Sequence, residues 1–419
     1  MFTTKYKLGD IAEIQTGPFG SQLHNEDYVL KGTPIVTVEH LGNKYFTTQN
    51  LPMVSDADTL RLRKYILNEN DIVFSRVGSV DRCSFVSKNE DGWLFSGRCL
   101  RVRPNNKLVN SECLYYYFTQ SYFKEYVRSK AVGCTMPSLN TELLSELTVS
   151  LPDLITQQKI ATILSHIDNK IFINREINRN LEELAKQIYD YWFVQFDFPN
   201  EDGKPYKSSG GKMVWNETLK RNIPEGWEVK KVDELAEIQK KQITPKENIE
   251  YKHYSLPNFD KYESYSIENG NTIFSDKFFV ESGNLLISKL NPWTDRTVWV
   301  DDVNNAICST EYVVLKQNDK CIQSYLNQIA HTQSFIDYCT SCSTGTSHSH
   351  RRVKPELMTG YKVPFQENIV KAFGKQIYPI IKKKLNIQNE NRNLIIFRDE
   401  LLPLLMNGQV TLNSCLSHD

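Results

Sequence analysis

Two segments of the chain place residues at alternating steps of three and four, and they do so in one register. The first runs Ile160, Leu164, Ile167, Ile171, Asn174, Asn178, Leu181, Ala185, Ile188, Trp192. Adding 213 to each number gives Phe373, Ile377, Ile380, Lys384, Ile387, Asn391, Leu394, Arg398, Leu401, Leu405. Sustained three–four spacing is the seam of helices that pack along their length. A chain with two such seams has few ways to bury both, and the simplest is to pack one on the other. The word "NRNL" at Asn178–Leu181 returns at Asn391–Leu394, so the two helices share an origin as well as a pattern. Asn178 and Asn391 both fall on the seam, where a buried Asn weakens packing but fixes register. The expectation is an antiparallel pair with these two residues facing one another near its middle.

The rest of the chain repeats with the helices. "LGDIAEIQ" (Leu8–Gln15) is echoed by "VDELAEIQ" (Val232–Gln239), with four identities. "DIVFSR" (Asp71–Arg76) is echoed by "NLLISK" (Asn284–Lys289), Asp81-Arg82 by Asp295-Arg296, and Glu142-Leu143 by Glu356-Leu357. The offset drifts between 212 and 224 while the order is kept, as insertions in surface loops produce. Each half alternates short β-like runs with turns before its long helix. The fold class expected is α+β: two similar mixed α/β domains joined by two long antiparallel coiled-coil helices, an internal pseudo-twofold repeat. The boundaries expected are a first head over 1–151, a helix over 152–196, a linker over 197–227, a second head over 228–364, a second helix over 365–408 and a tail over 409–419. Asp153 is placed to cap the first helix. Pro379 is expected to kink or delay the second, and Asn407-Gly408 to stop it.

Composition narrows the function classes. Lys plus Arg is 50 and Asp plus Glu is 50, so a nucleic-acid binder built this way must gather its cations on local surfaces. Nine Cys at scattered spacings point to reduced thiols and a cytoplasmic setting rather than a disulfide framework. No apolar run is long enough to span a bilayer, so no membrane partner is expected. There is no GxxxxGK[ST] loop and no glycine-rich nucleotide fingerprint. Nor is there the aromatic-flanked Asn-Pro or Asp-Pro tetrad that amino-methyltransferases use on a flipped base; Asn291-Pro292-Trp293 comes nearest and lacks a residue. No Ser/His/Asp or paired-carboxylate constellation stands out. Catalytic residues and cofactors are therefore expected to be none. Cys339, Cys342, His348 and His350 offer a zinc reading, but a single CxxC is a weak signal and the first half has only Cys134 there. The expectation is no metal.

Three polar loops recur at equivalent places in both halves. "QTGPFGSQ" matches "QKKQITP", "SRVGSVDR" matches "SKLNPWTDR", and "AVGCTMPSLN" matches "STGTSHSHRR". They supply Gly for close backbone approach, Ser, Thr and Asn for hydrogen bonds, and Arg and Lys for phosphates or guanine edges. As ordinary surface turns, any one of them needs no explanation; three placed alike in two halves favour DNA recognition. The candidate DNA-binding residues are Thr16, Gly17, Phe19, Ser21, Arg76, Ser79, Arg82, Thr135, Ser138 and Asn140 in the first half. In the second they are Lys240, Lys241, Lys289, Asn291, Arg296, Thr346, His348, Arg351 and Arg352. Arg76 and Lys289 are favoured, while Arg82 and Arg296 are equally well read as partners in local ion pairs. The competing classes are a coiled-coil scaffold with two protein-binding heads and no DNA role, and the zinc enzyme.

The "GDIAEIQTG" opening, the block "LPDLITQQKIATILSHIDNKI…NRNLEELAKQIYDYWFVQFDFP", the linker "GKPYKSSGGKMVWNETLKRNIPEGW" and the ending "FRDELLPLLMNGQV" together resemble the DNA-specificity subunit of type I restriction-modification systems, over essentially the whole chain. That resemblance implies a non-catalytic subunit with two target-recognition domains, each reading half of a split double-stranded DNA target, and two helices that hold them. It implies two methyltransferase subunits as partners, with restriction motor–nuclease subunits added to them, and S-adenosylmethionine and ATP bound on those partners only. Lys384 and Arg398 depart from an apolar seam, so either the packing is wetter there or they face a partner.

Overall fold

The computed structural model describes residues 3–18, 20, 22–42, 44–133, 135–301, 304–345 and 350–410. The chain divides into two compact units. One holds the residues up to Lys170 and those from Ile396 onward; the other is Ile171–Ile395. Each unit therefore contains one head and a piece of both long helices.

In the first head, strand Thr4–Lys7 pairs antiparallel with Thr148–Leu151. A four-stranded antiparallel sheet follows in the order Ala12–Thr16, Cys99–Pro104, Ile72–Ser75, Cys83–Phe85. In the second head Glu228–Lys231 pairs with Lys362–Phe365, and the matching sheet runs Glu237–Ile238, Tyr312–Lys316, Leu285–Ser288, Thr297–Trp299. The order is the same, as the collinear repeat requires. The second sheets share a kernel: Met53–Val54, Thr33–Val36 and Leu94–Phe95 correspond to Ser266–Asn269, Glu250–Tyr254 and Ala306–Cys308, the last two of each set running parallel. They differ at their edges, where the first head adds Tyr28–Val29 and the second adds Gln242–Ile243 and Lys277–Phe279. Those edge additions are where the sequence offset drifts.

The first long helix is Leu154–Tyr189, continued by a wider π turn over Asp190–Val194. Asp153 caps it as expected, accepting from Thr156 N at 2.9 Å. The second is continuous over Glu367–Met406. Pro379 neither kinks it apart nor delays its start. It lies on the exposed face, so the carbonyl its ring leaves unpaired can turn to water, while the buried Phe373, Ile377 and Ile381 hold the turns on either side. Gly408 follows with φ of +68°, the left-handed stop that glycine allows. Two helices close the first head, Ser111–Thr119 and Ser121–Lys130, separated by an extended Gln120. The segment 197–227 is no plain linker. It forms a hairpin, Met213–Asn216 with Arg221–Pro224, and packs Phe198 and Ile223 into the core of the second unit.

Within each unit the helices run antiparallel. In the first, Asp168 meets Arg398 at 2.7 Å. In the second, Asn174 donates to Asn391 Oδ1 at 2.9 Å and Lys384 meets Glu182 at 2.5 Å. Lys384 and Arg398 thus complete ion pairs with the facing helix. Burial lowers the affinity of the Arg398 guanidinium for its proton, but the carboxylates of Asp168 and Asp399 outweigh that and hold its pKa raised. The buried line of the second helix also slips by one residue: Ile381 and Leu385 are buried where Ile380 and Lys384 were expected.

The register corrects one expectation. Asn391 pairs with Asn174, not Asn178. An antiparallel register that sets 174 against 391 sets 178 against 387, where the repeat has replaced Asn by Ile387. The Asn178 amide is 3% exposed and neither of its polar atoms has a partner. Leaving such a group unpaired costs about 1–3 kcal/mol. Asn178→Leu is therefore expected to stabilise the chain by roughly that amount, whereas Asn174→Leu, which removes the donor to Asn391 Oδ1 and Glu390 Oε2, destabilises it. Denaturant midpoints of the full-length variants check the opposite signs.

Candidate nucleic-acid interface

The central strand of each main sheet ends in Ser and then a base, and the turn that follows is built the same way twice. Ser75 Oγ donates to Val77 O at 2.8 Å, and Ser288 Oγ to Leu290 O at 3.1 Å. Position 78 has φ of +73° and is Gly; position 291 has φ of +49° and is Asn. Both residue types tolerate the left-handed region, and few others do.

This turn is knitted to the third loop by matching bonds. In the first head Leu139 N donates to Arg76 O at 2.9 Å and Gly78 N to Pro137 O at 2.8 Å. In the second Val353 N donates to Lys289 O at 3.1 Å and Asn291 N to Arg351 O at 2.8 Å. A third piece joins them: Arg76 N donates to Arg98 O at 2.8 Å, and Lys289 N to Glu311 O at 2.8 Å. The framework is conserved between the halves while the side chains differ.

Among the expected residues the structure sorts several into structural roles. Thr16 ends the strand Ala12–Thr16 opposite Leu100. Gly17 is buried against the turn that carries Arg98; a Cβ there would lie 2.2 Å from Ser96 O. Asn140 caps the helix Thr141–Ser145, its Oδ1 accepting from Leu143 N at 2.7 Å. Arg82 donates to Leu41 O, and Asp81 pairs instead with Arg128 at 2.7 Å. Arg296 grips Asp260 through Nε and Nη2 at 2.7 and 3.1 Å, while Asp295 pairs with His331 at 2.5 Å. The arginines read as possible ion-pair partners are thus engaged within the fold, though not by the neighbouring aspartates.

The remaining residues present polar atoms at the loops. Arg76 is half-buried, with Nη1 3.3 Å from Gly97 O. Ser79 and Thr135 are exposed, and Ser138 Oγ lies 3.2 Å from Val132 O. Lys289 is half-buried and its ammonium has no partner among the described residues. Asn291 Oδ1 accepts from Arg351 N at 3.2 Å, and Arg351 Nη2 donates to Ser343 O at 2.7 Å. Arg352 is held by Glu311 at 2.9 Å. Lys240 lies 3.7 Å from Glu356, and Lys241 sits 4.6 Å from the Phe279 ring centroid, which turns it toward the second sheet. Phe19, Ser21, Thr346 and His348 lie outside the described residues.

Arg98 and Glu311 are not among the residues the sequence pointed to. They occupy equivalent positions 213 apart and contact the favoured bases through their carbonyls. Applying the repeat offset to "GRCL" would have found them. Of the residues in the zinc reading, Cys339 is 1% exposed in the core of the second unit, burial pushing its thiol up to about 12, and His348 lies outside the described residues.

A duplicated α+β scaffold that repeats one loop framework and varies its exposed letters defines a two-headed recognition protein. Residues 3–183 match the family model described as the type I restriction modification DNA specificity domain. The chain is similar to the type I restriction enzyme HindI specificity subunit of Haemophilus influenzae, 24% identical over 97% of this chain and 99% of that protein. It is also 24% identical to the MjaIX specificity subunit of Methanocaldococcus jannaschii, over 74% of this chain and 71% of the relative. Its fold resembles the crystal structure of a type I restriction-modification S subunit from M. genitalium, with a TM-score of 0.57 at 15% identity over 97% of this chain and 96% of that one. Over its first 183 residues the chain thus matches a type I DNA-specificity domain, and over nearly its whole length it is similar to type I restriction enzyme specificity subunits.

The paired turns predict an asymmetry that differential scanning can check. Gly78→Asn, which copies position 291, is expected to leave the melting temperature nearly unchanged. Gly78→Val, which forces a β-branched residue to positive φ, is expected to cost about 1–2 kcal/mol.

Proposed function

We propose that this chain is the DNA-reading subunit of a type I restriction-modification complex, that each head reads one half of a split double-stranded target, and that the chain itself performs no catalysis. The observation that carries the reading is the loop framework, hydrogen-bonded alike in both heads but faced with Arg76 and Arg98 in one and with Lys289, Glu311 and Arg352 in the other. Equal frameworks with unequal side chains suit two heads that read different sequences. Phosphate contacts would supply affinity and base-edge contacts the sequence. Two methyltransferase subunits and the motor–nuclease subunits are the partners of this reading, with S-adenosylmethionine and ATP held on them. Among the described residues no helix is long and apolar enough to cross a membrane, and seven of the cysteines are free; a cytoplasmic site of action accords with both. The long helices would set the spacer between the two half-sites.

Exchanging the first head for that of a relative is expected to change one half of the methylated motif and leave the spacer intact, as read by mapping methylated adenines in the host genome. Inserting or deleting one heptad in a long helix should change the spacer instead. A chain that binds no duplex in a salt-dependent manner, with its partner subunits present, would be the protein-binding scaffold.

Arg76→Ala is expected to cost about 1–3 kcal/mol of binding and to relax one base position in the first half-site. Titrating the methyltransferase complex with cognate and single-mismatch duplexes at several salt concentrations measures this. A uniform loss across sequences, with the salt slope reduced by about one unit, would instead assign Arg76 to a phosphate.

A further inference from the structure

Arg352 is held at both its backbone and its guanidinium. Arg352 N donates to Thr344 O at 2.8 Å, Thr344 N to Arg352 O at 2.9 Å, and the adjoining Val353 N to Lys289 O at 3.1 Å. The guanidinium is forked by Glu311, with Nε donating to Oε2 at 2.9 Å and Nη2 to Oε1 at 3.1 Å. Glu311 is tied to the same turn, its carbonyl accepting from Lys289 N at 2.8 Å. An arginine on a surface loop ordinarily has rotamers to lose when it binds; here they are restricted beforehand.

The pair does little for the fold. Its side chains are 50% and 29% exposed, and ion pairs that open to water contribute little to stability. Its effect is on presentation. Glu311 occupies the Nε–Nη2 edge, so the terminal edge, Nη1 with the second hydrogen of Nη2, has no partner among the described residues.

The first head has no such pair. Its framework bonds put Ser138 where Arg352 stands, since Ser138 N donates to Val132 O at 2.8 Å and Val132 N to Ser138 O at 3.0 Å. They put Arg98 where Glu311 stands. The forked arginine is thus an addition of the second head to a shared scaffold.

Charge decides what the terminal edge can recognise. A phosphate is drawn by net positive charge; Glu311 cancels that of Arg352 and would itself repel the phosphate. A base edge carries no net charge and needs only donors in the right geometry. In the major groove guanine alone sets two acceptors, N7 and O6, side by side, and the terminal N–H groups of a guanidinium are two parallel donors that match them.

We propose that Arg352 reads a guanine in the second half-site through its Nη1–Nη2 edge, and that Glu311 is the positioning residue that aims it. This rests on the DNA-reading function above and adds to it a base and a division of labour between two side chains.

The test uses the full-length chain assembled with its methyltransferase subunits. The methylated motif is mapped for the wild type, and the half-site of the second head is the half that persists when the first head is exchanged. Duplexes with the cognate motif and with each single base-pair change in that half are titrated against wild type, Arg352→Ala, Arg352→Lys, Glu311→Gln and the double variant Arg352→Ala with Glu311→Gln. The wild type is expected to prefer one G·C pair of that half over an A·T pair by about tenfold or more. Arg352→Ala should abolish that preference, and so should Arg352→Lys, which keeps the charge and loses the fork. Glu311→Gln should cut the preference by about threefold while binding mismatched duplexes as tightly as the wild type or more tightly, because a carboxylate has left the DNA surface. A purely structural role would weaken cognate and mismatched binding alike. In the Arg352→Ala background, Glu311→Gln should change the preference no further. Melting temperatures should be unaltered throughout. A second half-site without guanine dependence, a preference that survives Arg352→Lys, or an equal loss on cognate and mismatched duplexes, which would put Arg352 on a phosphate, overturns the proposal. A wild-type complex that binds no duplex overturns the DNA-reading function itself, and the proposal with it.

Discussion

The register of two antiparallel helices governs most of this structure. A buried amide on one helix can be satisfied only by the residue that the register brings opposite, and a buried carboxylate likewise. Asn174 finds Asn391, Glu182 finds Lys384, and Asp168 finds Arg398. Sliding one helix by a turn would break these pairs and leave polar groups unpaired in a closed seam. The apolar residues alone would tolerate such a slide, since one Leu replaces another at little cost. The polar residues therefore specify the pairing that the apolar stripe stabilises. Each head then builds its core on the helix ends already held: Ile160, Leu164 and Leu405 in the first unit, Tyr189, Phe373 and Ile377 in the second.

Duplication explains both what the halves share and where they part. The backbone hydrogen bonds that tie the turn after the central strand to the third loop are the same in the two heads, because they depend on strand order and on a left-handed residue at positions 78 and 291. Side chains at those loops are under no such constraint. Arg98 and Glu311 carry opposite charge at equivalent positions, and Glu311 draws Arg352 into an ion pair that the first head cannot make. The same freedom operates on the helices. Asn178 has lost its counterpart to Ile387, and Ala185 and Ile381 stand where Arg398 and Asp168 form an ion pair.

What the sequence determined by itself was whatever depends on periodicity and order. The two long helices, the α+β class, the repeated head and the placement of three loops follow from spacing that any reader of the chain can count. Asp153 and Gly408 marked helix ends because capping is local chemistry. The resemblance to type I specificity subunits was legible because several long blocks, rather than one short motif, carried it.

The tertiary structure decided whatever depends on which residue stands opposite another. Asn391 meets Asn174 rather than Asn178 because antiparallel pairing crosses repeat-equivalent positions instead of aligning them. Pro379 sits inside a helix that packing on both sides keeps whole, and the segment 197–227 became part of a core because Phe198 and Ile223 had a surface to bury against. Gly17 and Asn140 proved to be framework, and Arg296 an ion-pair partner of Asp260, since sequence spacing cannot tell a base aimed at solvent from one turned back to a carboxylate 36 residues away. Periodicity is a property of one segment and is written in its letters; pairing is a property of two segments and exists only once both are folded.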